Sequence, residues 1–505
     1  MRRVFFALLV LAACGRRSSE IDAVVTLDLR ASSRTTDPRL LSVGLDANVL
    51  LGGKGWVEGQ TAAAGLTPLD LSSPRLQHLT QALAPAYLRI GGADADRVFF
   101  SDDDGTALPK NDTLRMTAAR WDALAGFSQS TGLPLVYTLN AGLAPRDSHG
   151  AWGSDNAAAL VRHAHARGDD VHHFELGYEP NGYGATFGPS FQLDGKQYAH
   201  DLDAARAMLD TEWPGMLLGA AQAAWWPTLG EPAPLTKDAL DASQTAPDVV
   251  SWTWYPLESQ RCAFQLDLAK ESAFDDTKSF AAFDQWSAEV GHLQQTDAHD
   301  GALWLGGAGH ARCGGEPGLS DRFIASLWWV DLIGRAAKQG HQVVVRDSLV
   351  GGDDGLLDQS TLDPNPDYWA TLLFKKLMNG KQVDASSSNG RVLTYAQCTR
   401  GAVRSVTVVL INPDPVRSAF VTLAGETVSA PNARVFQITS PDPLSRITQL
   451  NGAPLTVGDD GRVPPLNGVL LDSAADGTVS LHLEARSYAF IVVPGVGDGS
   501  HLACP

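Results

Sequence analysis

The sequence predicts an α/β fold: a (β/α)8 TIM barrel followed by a C-terminal antiparallel β-sandwich that takes one N-terminal strand. Three observations predict it. The 505 residues exceed what one hydrophobic core usually fills, so two packed units are expected. Between residues 40 and 378, short β-rich runs alternate with helical patterns, the signature of parallel strands joined by crossover helices. After Lys381 the long helical patterns stop, and strand-length runs follow one another between Gly- and Pro-containing turns.

The first unit, 40–378, holds eight β-rich runs: Leu40 to Leu45, Ala86 to Ile90, Leu133 to Asn140, His172 to Leu176, Met216 to Ala220, Val249 to Trp254, Ala302 to Gly306 and Gln342 to Asp347. Eight such strand–helix units close a barrel. Helix starts are marked by pairs such as Ser73-Pro74, a capping residue followed by proline at the first helical position. The second unit, 381–505, contains Arg391 to Cys398, Ser405 to Ile411, Ala433 to Ile438, Val479 to Leu483 and Tyr488 to Val493. Ala23 to Leu29, within 23–30, reads as one more strand lent to that sandwich.

The extreme N-terminus concerns location. Arg2 and Arg3 precede the apolar run Val4 to Leu11, which has signal-peptide length and falls far below the roughly 20 residues a membrane span needs. The run ends Leu11-Ala12-Ala13-Cys14-Gly15, which resembles a bacterial lipoprotein signal: residues 1–13 would be removed, leaving Cys14 lipidated on a polar tether, 14–22. The expected location is therefore outside the cytoplasm, periplasmic or at the cell surface, with a membrane contact through the lipid. Setting Cys14 aside, Cys262, Cys313, Cys398 and Cys504 are an even number in an exported chain and permit three pairings, four free thiols being the plainer alternative. Cys398 with Cys504 would tie the C-terminus to a sandwich strand. Cys262 with Cys313 would join two loops that the barrel sets side by side, so this pairing is favoured.

Charge narrows the partners. With 39 Lys and Arg against 57 Asp and Glu, the net charge of −18 repels nucleic acid and sulfated polysaccharide at long range, and a neutral or weakly charged oligo- or polysaccharide fits better. The 13 histidines form no metal-ligand spacing, and no nucleotide-binding motif occurs, so neither metal nor other cofactor is expected.

Barrel enzymes build their sites at the C-terminal ends of the strands. Strand four ends in Phe174-Glu175-Leu176-Gly177-Tyr178-Glu179-Pro180-Asn181, which puts Glu179 just beyond the strand at the barrel mouth. Trp225, Trp226, Trp252 and Trp254 are candidates to stack on sugar rings, with core packing the stronger reading for Trp252.

Several phrases in order resemble the heparanase-like family, glycoside hydrolase family 79. They include Leu41-Ser-Val-Gly-Leu-Asp46-Ala47-Asn48, Leu83-Ala-Pro-Ala-Tyr-Leu-Arg-Ile-Gly-Gly92, Glu175-Leu-Gly-Tyr-Glu-Pro-Asn181 and Asp363-Pro-Asn-Pro-Asp-Tyr-Trp369. Gln449-Leu-Asn-Gly452 and the cysteines Cys398 and Cys504 extend the match through the second unit. The resemblance implies a retaining glycosidase, which needs two carboxyl groups about 5–5.5 Å apart, one to protonate the leaving oxygen and one to attack the anomeric carbon. Glu179 matches the first, the acid/base. The family's nucleophile is a Glu directly after Trp-Leu-Gly on strand seven; here Trp304-Leu305-Gly306 is followed by Gly307, so that carboxylate is absent.

Other family positions depart as well. Tyr178 stands where an Asn orients the sugar 2-hydroxyl, Ala93 replaces a threonine, Asp347 replaces a glutamine ending strand eight, and Asp353-Asp354-Gly355 replaces a tyrosine that binds a uronate carboxylate. Two acids there would repel a uronic acid. Features that match substrate-binding positions are Asp46, Asn48, Tyr255, and Gly314-Gly315, whose amides the family turns toward the uronate. Carboxylates available to replace the nucleophile are Glu316, Asp353, Asp354, Glu289 and above all Asp347, which closes a barrel strand. The expectation is thus a heparanase-like, carbohydrate-binding scaffold without the family's retaining hydrolysis, the alternative being an active hydrolase using Glu179 with Asp347.

Overall fold

In the computed structural model, the described residues are 20–29, 34–275, 278–298, 301–378, 380–424, 432–471, 478–496 and 504. The expected signal and Cys14 lie outside them. Eight parallel strands close into a barrel in chain order: Leu41–Asp46, Leu88–Gly91, Leu135–Leu139, Val171–Leu176, Leu217–Trp225, Val249–Trp254, Ala302–Ala308 and Val343–Arg346. The last pairs with the first through Val344 opposite Leu41. Strands such as Val249–Trp254 and Leu135–Leu139 are buried along their whole length, as parallel strands covered on the outside by helices must be. Ser73 caps the helix Pro74–Gln81 by accepting from the Leu76 amide at 3.4 Å.

The fifth strand runs past the predicted Ala220 to Trp225. Its extension carries a register shift between Ala220 and Ala223, and it is anchored from the neighbouring strand-four loop: the buried Asn181 side chain donates to the Ala224 carbonyl at 3.0 Å and accepts from the Ala224 amide at 2.9 Å. This holds the Glu179 loop against strand five.

Among the described residues, eleven strands form one sheet around a second core, in which Ile21, Val25, Val406, Val408, Val421 and Leu481 are all buried. The N-terminal strand, Ile21–Asp28, lies between Gln382–Ser387 and Ala419–Ala424, antiparallel to the first and parallel to the second. That parallel pairing is a local departure from an otherwise antiparallel ladder. The sheet docks on the barrel helices Phe323–Gln339 and Pro366–Leu377. Phe323 stacks on Tyr488, Phe374 meets Phe490 edge-on, and Tyr395 sits so close to Gly334 that an added Cβ would fall 2.4 Å from its ring. The helix Phe323–Gln339 is therefore buried along nearly its whole length, being covered by barrel on one side and sheet on the other. Cys262 is bonded to Cys313 and Cys398 to Cys504.

Candidate active site

Glu179 follows strand four in a left-handed conformation, φ +46°, which turns its side chain over the barrel mouth. Its amide donates to the Gln222 carbonyl at 3.0 Å, and Thr253 on strand six donates its hydroxyl to Glu179 Oε1 at 2.7 Å. Burial pushes the Glu179 carboxyl above its ordinary range. Donation from Thr253 and Tyr178 and the charge of Arg312 oppose the rise, and the negative charge of Asp347 adds to it. A partner carboxylate thus does act on Glu179, but it comes from strand eight and not from position 307.

Asp347, directly after strand eight, accepts from the Tyr255 hydroxyl at 2.6 Å, and the Tyr255 and Tyr178 hydroxyls stand 3.3 Å apart. The two tyrosine hydroxyls thereby form a hydrogen-bonded chain that ends on Asp347. Gly307 faces the same space: a Cβ built there would meet Thr253 Cγ2 at 3.3 Å, the Tyr255 hydroxyl at 3.5 Å and Asp347 Oδ2 at 3.8 Å. Tyr255 and the Asp347 carboxylate therefore stand at ordinary packing distance from the first atom of any side chain at 307.

A cavity of about 150 Å³ opens beside this pair, and Asp46, Asn48, Tyr178, Tyr255, Gly314 and Asp347 all contribute to its wall. Asp46 lies against Gly92, where any Cβ would come within 2.3 Å of Asp46 Oδ1, and the positive φ of +79° there also favours glycine. Burial, then the charge of Asp347, raises Asp46 well above the usual carboxylate range. Asn48 commits its amide hydrogens to the Lys54 carbonyl and to Asp94. Gly315 stands behind the wall, and its amide is engaged by the Ala311 carbonyl at 3.1 Å, so the expected pair of free amides is reduced.

Beneath the mouth, Arg89 pairs with Glu175 at 2.9 Å inside the barrel, and its guanidinium underlies the Tyr178 ring at 5.3 Å.

Several expectations are corrected. Asp353 and Asp354 do not act as a pair toward a ligand: Asp353 turns away and is ion-paired with Arg261, while Asp354 alone lines the cavity. Glu316 is consumed by Gln260, which donates to both its oxygens, and Glu289 is exposed on the helix Lys278–Asp297. Trp225, Trp252 and Trp254 are core residues packed among Trp286, Phe283 and His341. Of the four candidate tryptophans only Trp226 is part-exposed, with Arg312 over its face at 4.1 Å. Thr253 and Trp56 belong to the site without having been singled out as its functional residues. Thr253, one residue before the end of strand six, could have been flagged by its place at the C-terminal end of a barrel strand; nothing local marks Trp56.

Comparison with known proteins agrees with this fold. Residues 56–334 match the model of glycosyl hydrolase family 79, N-terminal domain. Heparanase of Mus musculus is 26% identical over 535 residues, covering 94% of this chain and 93% of its own, and inactive heparanase-2 of Homo sapiens is 26% identical over 530 residues, covering 88% and 84%. The GH51 arabinofuranosidase of Xanthomonas axonopodis pv. citri superposes with a TM-score of 0.66 at 15% identity, covering 94% of this chain and 100% of its own, a likeness of fold alone. The chain belongs to glycosyl hydrolase family 79 and is built on its heparanase-like scaffold.

Proposed function

We propose that the chain binds a glycan at the barrel mouth and does not cleave it by the double displacement that Glu179 would serve in a retaining hydrolase. Gly307 carries this reading. Glu179 has the surroundings of a proton donor, yet the strand-seven position that would supply the attacking carboxylate has no side chain. Tyr255 and Asp347 border the space that such a side chain would face. An acid without a nucleophile protonates a leaving group only if something else stabilises the developing cation.

A second reading is favoured by one observation, the 3.8 Å approach of Asp347 Oδ2 to the Cβ direction of Gly307. Here Asp347 supplies the second carboxylate, either attacking directly or activating water. Turnover of an aryl glycoside by the full chain decides between them. The binding reading predicts no release above that of Glu179→Gln, whereas release abolished by both Glu179→Gln and Asp347→Asn establishes hydrolysis. We further propose that the protein is exported and held at a membrane through Cys14, on the strength of the Leu11-Ala-Ala-Cys14 phrase.

A further inference from the structure

Two loops on the barrel rim hold apolar side chains out to solvent although the loops themselves are tightly built. After strand five, Trp226 and Gly230 close a hairpin by mutual backbone hydrogen bonds of 2.7 and 2.8 Å, and Trp286 braces it from the helix Lys278–Asp297, donating to the Pro227 carbonyl at 2.9 Å. After strand six, the buried Glu258 carboxylate accepts from the amides of Leu266 and Asp267 at 2.7 and 2.6 Å, and the Cys262–Cys313 bond ties the same loop to the one after strand seven. Polar contacts and a disulfide order both loops, yet Phe264 is 57% exposed, and Leu229, Leu266 and Leu268 are exposed with it. Apolar surface kept in water on a rigid rim marks a place where something binds.

Arg312 joins these loops to the candidate site. Its guanidinium lies 4.1 Å over the Trp226 ring, pairs with Glu258 at 3.1 Å and donates to the Phe264 carbonyl at 3.2 Å. The Trp226 and Phe264 rings stand 6.4 Å apart and 31° from parallel, so Phe264 extends the aromatic surface from Trp226 toward solvent. Arg312 is also near enough to Glu179 for its charge to act on that carboxyl, and the next residue in the chain, Cys313, belongs to the cavity wall.

Size and composition bear on where a glycan would extend. The cavity of about 150 Å³ is small beside the roughly 300–1,000 Å³ of ordinary ligand pockets, so a glycan of two rings must rest partly outside it. Residues 56–59 and 350–354 form a partition. Trp56, Gly351 and Asp354 face the cavity, whereas Val57, Gly59 and Asp353 face a separate chamber of about 830 Å³, which no aromatic ring lines among the described residues. Glu179, placed as a proton donor, would stand at the oxygen joining the sugar in the cavity to the next one, so that next ring lies on the Arg312 and Trp226 side. The C–H face of a pyranose packs well on an aromatic ring. Two such rings fall far short of the roughly 800 Å² per partner of a standard protein interface, which favours a sugar over a protein.

We infer that Trp226 and Phe264 form a second sugar subsite, on the leaving-group side of Glu179, where the apolar face of the next ring of a bound glycan stacks. This rests on the glycan-binding reading above and deepens it. Calorimetric titration of the full chain with the methyl β-glycosides of glucose, galactose, xylose and glucuronic acid, each beside a β-linked disaccharide carrying the same sugar at its non-reducing end, tests it. At least one disaccharide should bind about fivefold to tenfold more tightly than its monosaccharide, the gain expected of one stacked ring. Phe264→Ala should bring that ratio close to one, and Phe264→Tyr, which keeps the ring, should preserve it; the side chain is exposed, so neither change should lower the unfolding midpoint. A ratio near one for every pair in the unaltered chain, or a ratio in Phe264→Ala as large as in the unaltered chain, would overturn the inference while leaving glycan binding intact. Failure of every monosaccharide and disaccharide to bind would remove the glycan-binding reading itself, and the inference with it.

Discussion

Arg89→Met would expose what holds the floor of the site together. Arg89 Nε lies 2.9 Å from Glu175 Oε2, both side chains are 1% exposed, and Thr138 and Gln222 complete the network, Gln222 donating to Glu175 Oε1 at 2.6 Å. Burial alone would raise the Glu175 pKa, but the charge of Arg89 and the neighbouring His173 outweigh it and bring it down to about 2 from 4.5. At about 1.4 kcal/mol per tenfold, that fall corresponds to roughly 3 kcal/mol of stability. Breaking a buried ion pair from one side costs about 3–5 kcal/mol by mutational experience, which agrees. The folded pKa is depressed, so the contribution is complete above the unfolded value of 4.5 and is lost as the pH falls toward about 2. Urea unfolding followed by tryptophan fluorescence at pH 7 should show a loss of about 3–5 kcal/mol for Arg89→Met, shrinking as the pH is lowered. The double variant Arg89→Met with Glu175→Leu should recover much of it, because no buried charge is left unpaired. A loss below about 1 kcal/mol at pH 7 would refute this reasoning, since the pair would then behave like an exposed one.

Asp354 gives the opposite pH signature: burial, against the attraction of Arg346, raises its pKa from 3.8 to about 8. Its contribution is complete below 3.8 and lost as the pH rises through about 8, so Asp354→Asn should stabilise the fold by a few kcal/mol near neutrality and by little at pH 4, read by denaturant midpoint. The Cys398–Cys504 bond spans 106 residues, and Cys398→Ser should cost about 4–5 kcal/mol, seen as a lowered midpoint for the sheet unit. Cys14→Ser should move the protein from the membrane fraction to the soluble one in an exporting bacterial host, and unchanged fractionation would remove the anchor.

The barrel was legible because its strands are short apolar runs of near-uniform burial, and Val249–Trp254 needed no revision. The outer half of strand five was not, because an alanine-rich run carries little β-preference and is held by Asn181 from another segment. Gln382–Ser387 and Ala419–Ala424 escaped for a related reason: the first is polar, and both gain their place by pairing with the N-terminal strand. At the site, position after a strand end located Glu179, Asp347 and Tyr255, since barrel geometry alone sends such residues to the mouth. What could not be read was direction. Asp353 and Asp354 are adjacent in the chain yet face opposite sides of the partition, and the tryptophans of strands five and six look the same in sequence whether they pack inward or stack on a ligand. Arg89, Glu175 and Gln222 meet only because three parallel strands bring them to one level inside the barrel.

The central claim is that position 307 leaves the scaffold able to hold a glycan but not to cleave it by the family's route. Its most direct test is the rate of aglycone release from the aryl glycoside of whichever sugar binds best, measured for the unaltered chain beside Glu179→Gln and Asp347→Asn. The account predicts binding of the glycoside and release no faster than the Glu179→Gln background. Release that is lost in both variants would contradict it and make Asp347 the second catalytic carboxylate.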